Sequence, residues 1–86
     1  MNPVPLMQVA LESIVFLGLS TEETVAPDAA VSQLEAIGSL LQEMPLIDRQ
    51  AFLVFVQGVA DMEESGSGIP ERIEFLRHLG ENLGIS

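Results

Sequence analysis

The sequence has no cysteine, tryptophan, tyrosine or lysine; its basic side chains are three arginines, and it has a single histidine. Without cysteine there is no disulfide, thiol nucleophile, iron–sulfur cluster or cysteine-ligated zinc, so 86 residues must fold without the staples that many small domains use. The same absence suits a cytoplasmic setting. Arg49, Arg72 and Arg77 form no basic cluster able to neutralise phosphates, and a net charge of −10 repels nucleic acid and anionic membrane surfaces alike. His78 has no thiol beside it and no serine placed for a triad, and the glycines are dispersed rather than gathered into a phosphate loop, so no catalytic residue is assigned and an enzyme is not expected.

What is present is apolar. Hydrophobic residues make up 48% of the chain against 13 carboxylates, enough to bury a core in spite of the charge. Residues 1–86 make one domain, and a domain of this size is only marginally stable by itself. The stretch Val4–Leu19 carries Glu12 as its one charge, yet it has no basic leader, is shorter than the roughly 20 residues a bilayer requires, and places Glu12 near its middle. It reads as a buried helix, not as a membrane span or signal.

The pattern predicts an all-α bundle of about four helices, near 3–18, 27–44, 46–64 and 70–83. Asn2 caps the first with Pro3 behind it, and Leu6, Ala10, Ile14 and Leu17 form one face. Met7, Val9, Leu11, Val15 and Phe16 fill most of the remaining surface, so this helix should be covered nearly all round. Ser20 and Glu23 have capping-box spacing and suggest a short extra turn before the second helix. That helix shows a stripe of Val31, Leu34, Ile37, Leu41 and Met44, beside which Gly38 marks a close approach of another helix. The third has Ile47, Ala51, Val54, Phe55, Val59 and Met62, widened by Phe52, Leu53 and Val56. Its run Ala51–Val56 would suit a buried strand, but it lies inside a pattern of helical length, with Gly66 where a left-handed C-terminal residue belongs. The fourth opens at Pro70, shows Ile73, Leu76, Gly80 and Leu83 on one face, and closes at Gly84.

Three local features invite chemistry. Asp61, Glu63, Ser65 and Gly66 match the first, third, fifth and sixth positions of a calcium loop, but Gly68 and Arg72 stand where its hydrophobic residue and bidentate glutamate belong, so no metal is assigned. Glu74 lies one turn before His78 and favours a surface ion pair; Arg77 has Glu74 and Glu81 within reach along the same helix. A short, acidic, four-helical chain resembles acyl carrier proteins in size and charge, and the string Gly38-Ser39-Leu40 is the nearest match to their Asp-Ser-Leu motif. The resemblance would imply phosphopantetheine on Ser39; here the Asp is missing and Ser39 lies inside a helix rather than at its opening, so no cofactor is assigned.

The function expected is a small acidic protein-binding module that masks a basic or apolar surface of a partner protein, as inhibitors, immunity proteins and chaperones do. Glu22, Glu23, Asp61, Glu63 and Glu64 are the expected electrostatic contacts, with Leu11, Val15, Phe52 and Val56 as apolar interface candidates. The alternative is an assembly subunit acting as a helical homodimer, and an acyl-carrier-like protein ranks behind both. A protein partner in a homodimer or hetero-complex is expected, with neither nucleic acid nor membrane.

Overall fold

The computed structural model describes residues 2–85, and these form four helices with no strand among them: α1 (Val4–Leu19), α2 (Pro27–Gln42), α3 (Leu46–Ser65) and α4 (Pro70–Asn82). Proline punctuates every start. Pro27 and Pro70 are the first residues of their helices, Pro5 is the second of α1, and Pro45 caps α3, each where a missing N–H costs nothing. The cap residue of α1 is Pro3 and not Asn2, one position later than expected; the Asn2 side chain still accepts a hydrogen bond from the Val4 N–H at 3.1 Å.

The ends differ in detail from the expected pattern. The Ser20 hydroxyl bonds back to the Phe16 carbonyl and finishes α1, while Thr21–Val25 makes one separate turn through bonds from the Thr24 and Val25 N–H groups to the Thr21 carbonyl. Residues Glu43 and Met44 close α2 with tightened bonds to Leu40 and Leu41. Gly66 is not left-handed, having φ −109°; instead the Gly66 and Gly68 N–H groups both bond to the Glu63 carbonyl. Gly68 passes so near that a Cβ would lie 2.7 Å from the Glu63 carbonyl oxygen. At the other end Gly84, with φ 69°, supplies the left-handed residue that closes α4.

The core belongs to three helices. Leu11, Ile14 and Val15 of α1 meet Phe52, Val56 and Ala60 of α3 and Leu76 and Leu79 of α4, with Ile85 sealing one end. α1 packs against the other three helices and α3 packs against α4, but α2 has comparable packing only against α1. The buried residues of α2 are Ala30 and Gly38, both small; Leu34, Ile37 and Leu41 are half-buried, and Val31 is exposed. Gly38 does mark a close approach, a Cβ there meeting the Leu83 carbonyl oxygen at 3.2 Å, although Leu83 lies just beyond the last turn of α4.

Two expected faces are rotated. α3 turns Phe52, Val56 and Ala60 inward, while Ile47, Val54 and Met62 point outward, Val54 being 73% exposed. α1 is not covered all round: Leu6, Val9 and Phe16 lie on an open side. The four apolar interface candidates Leu11, Val15, Phe52 and Val56 are core residues, from 0% exposed at Val56 to 7% at Val15, so the surface they were expected to form does not exist in this fold. The reason is steric: once α1, α3 and α4 close around one axis, only the stripe nearest that axis can be inside, however wide the apolar arc of each helix.

Candidate functional site

The carboxylates fall into two groups. At the α3–α4 end they are engaged by arginine. Arg72 on α4 places Nη1 2.7 Å and Nη2 3.1 Å from the two oxygens of Glu12 on α1, while its Nε lies 2.7 Å from Glu63 on α3, tying three helices with one guanidinium. Those hydrogen bonds, to Glu12 first and Glu63 second, hold the Arg72 pKa well above its ordinary value. Arg77 reaches Asp61 at 2.8 Å and Glu64 at 2.5 Å, and its Nη1 also donates to the Gln57 side chain at 2.9 Å. Its pKa is likewise raised, chiefly by Glu64 and then Asp61. Both arginines therefore look across to other helices; the pairs expected along α4 between Arg77 and Glu74 or Glu81 do not form. His78 does lie 3.2 Å from Glu74, as the spacing suggested.

This pairing explains the three acidic residues at the end of α3, which oppose the helix dipole and looked like a docking patch. Asp61, Glu63 and Glu64 are the acceptors through which Arg72 and Arg77 bridge α4 to α3. Among the described residues no group of three carboxylate or histidine side chains is placed to hold a metal ion.

The second group is different. Glu22 and Glu23 in the Thr21–Val25 turn, with Asp28, Glu35 and Glu43 on or beside α2, have no ion pair among the described residues, and no basic residue occurs between Ser20 and Arg49. One of them, Glu35, lines a cleft of about 730 Å³ between α2 and α4, two helices that share little packing. Gly18, the Phe75 ring that lies over it, and buried Leu79 line its depth, while Val31, Leu34 and Leu83 add apolar wall. The Gln42 side chain donates to the Leu83 carbonyl at 2.9 Å and joins α2 to the end of α4. Glu35 on α2 and Glu81 on α4 both line it, and Glu22 lines an adjoining hollow that shares Gly18, Val31 and Leu34 with the cleft. Ser39 also lines the cleft, from the fourth turn of α2 and not from its opening.

Of the expected electrostatic contacts, the structure places Glu22 in the hollow next to the cleft, Glu23 beside Glu22 in the Thr21–Val25 turn, and Asp61, Glu63 and Glu64 in ion pairs with Arg72 and Arg77. Glu35, Glu81 and the apolar walls were missed. The charge run from Glu22 to Glu43 without a basic residue was a visible signal for the acidic side, but nothing in the periodicity announced a gap between α2 and α4. Comparison of the chain with protein-family models, curated proteins and solved structures finds no match.

Proposed function

We propose that the protein is a small acidic binding module that masks a basic or apolar surface of a partner protein, in the manner of an inhibitor, an immunity protein or a chaperone, in a cytoplasmic setting. The observation that supports this reading is the segregation of charge: all three arginines lie outside the Glu22–Glu43 segment, whose five carboxylates find no internal partner among the described residues. Like charges crowded on one side of a small domain repel, and a basic partner relieves that cost while its approach is steered. No helix among the described residues is long and apolar enough to cross a membrane. The test is to capture binders from a native lysate, purify them, and reconstitute each complex over a range of salt. A basic partner is expected, with an affinity that falls as salt rises; partners that are acidic or indifferent to salt would overturn the reading.

A second reading, a homodimer, draws support from α3. Its outward stripe Ile47, Ala51, Val54 and Gly58 has helix-pairing spacing, and nothing lies within 4 Å of where a Gly58 side chain would start. Sedimentation at micromolar concentration decides it: a dimer that Val54→Lys dissociates is expected, and a monomer throughout would remove this reading.

A further inference from the structure

We infer that the cleft between α2 and α4 is the seat of a basic amphipathic helix supplied by the partner, an inference that rests on the acidic-module reading and gives it a site. Four helices that closed fully would pack α2 against α4; here α2 packs well only against α1, and Val31, at 55% exposed, faces outward beside half-buried Leu34. An added helix laid along the gap would cover Val31, Leu34, Phe75 and Leu83 with its apolar side, the mode in which helices bind grooves as i, i+3, i+4 and i+7 anchors.

Charge selects among occupants. No arginine or histidine lines the cleft, whereas Glu35 of α2 and Glu81 of α4 both line it and Glu22 lines the adjoining hollow. Glu81 also has His78 at 3.9 Å, a distance too long for a hydrogen bond, so its carboxylate stays available. An acidic or neutral helix would be repelled or indifferent there. A second copy of this chain is excluded as the occupant on the same ground, since its net charge is −10 and Arg72 and Arg77 are already engaged. Lysine or arginine flanking an apolar stripe meets both requirements at once, the stripe on the floor and the cations against the rim.

The inference is tested by titrating the full chain, labelled with ¹⁵N, with a synthetic leucine–lysine peptide of about 16 residues, roughly the length of α2, patterned as an amphipathic helix. A peptide of the same pattern with glutamate for lysine is the control. The lysine peptide should saturate at one per chain and move the amide signals of Val31, Leu34, Gly38, Leu79 and Leu83; the glutamate peptide should move none of them. The variant carrying Glu22→Gln, Glu35→Gln and Glu81→Gln should bind about tenfold more weakly at low salt. Val31→Lys, at an exposed site that leaves the fold intact by circular dichroism, should weaken binding at least as much. Shifts confined to the outward face of α3, or no saturable binding, would overturn the groove. If the lysine peptide fails while the captured basic partner still binds in a salt-dependent way, the groove alone falls; if the partner also proves indifferent to salt, the acidic-module reading falls with it.

Discussion

Arg72 illustrates how much one side chain can decide in a domain this small. It is 22% exposed, and its fork of donors satisfies carboxylates on two different helices, a geometry that a lysine ammonium cannot reproduce. Arg72→Ala should cost about 1 kcal/mol, near the top of the range for solvent-screened pairs because Arg72 and Glu63 are mostly covered, and no more because Glu12 is half exposed; Arg72→Lys should recover only part of it, and urea midpoints measure both. Equal midpoints for Arg72→Ala and the parent would remove the pairing from the stability account. Because the Arg72 pKa is raised from an already alkaline value, its share of that stability is complete below the ordinary arginine value and is lost only as pH rises through the raised one. Titration of Arg72 therefore adds no slope near neutral pH. Gly58 gives the opposite sign. It sits inside α3 with open space where a Cβ would go, so Gly58→Ala should stabilise the chain by roughly 0.5–1 kcal/mol through helix propensity alone. A loss of stability in the monomer would show that the position is crowded after all.

At the scale of elements, α2 differs from the other three helices. α1, α3 and α4 each give two or three large or medium apolar side chains to the core, whereas α2 buries only Ala30 and Gly38 and is held by half-buried Leu34, Ile37 and Leu41 and by the Gln42 bond to Leu83. Its stability should therefore be the lowest in the fold. Native-state hydrogen exchange should show the amides in the middle of α2 opening at least about tenfold faster than those around Val56 and Leu76. Uniform protection across the four helices would contradict a rim position for α2. A helix bound in the cleft would raise protection in α2 first, because that is the element with packing still to gain.

For the molecule as a whole, two electrostatic effects compete. Salt weakens the Arg72 and Arg77 pairs, but it also screens the repulsion of a net −10 held within a radius of gyration of 12.8 Å, comparable with the Debye length of about 10 Å at 0.1 M. Repulsion should win, because two arginines serve four carboxylates and most of the other carboxylates have no ion pair among the described residues. Raising NaCl from about 0.05 to 0.5 M should lift Tm by roughly 4 °C or more, read by circular dichroism. A falling Tm would mean that the ion pairs outweigh the self-repulsion.

The linear sequence by itself determined the helices, because their boundaries are written in local chemistry: a proline at or beside each start, Asn2 at the first, Gly84 at the last. It also determined that residues 22–43 are acidic without relief, since no basic residue occurs there. Only the tertiary structure decided which stripe of each helix is inside. In α1 and α3 the apolar arc is wider than the buried one, so periodicity could not choose between Val54 and Val56, or tell that Leu11 and Val15 are core while Val9 and Phe16 are not. Nor could it show that Asp61, Glu63 and Glu64 serve Arg72 and Arg77, because those pairs join residues on different helices, 60 positions apart in the case of Glu12 and Arg72. The cleft is tertiary for the same reason: a gap between α2 and α4 is a property of how whole helices lie together, and no single helix carries a record of it.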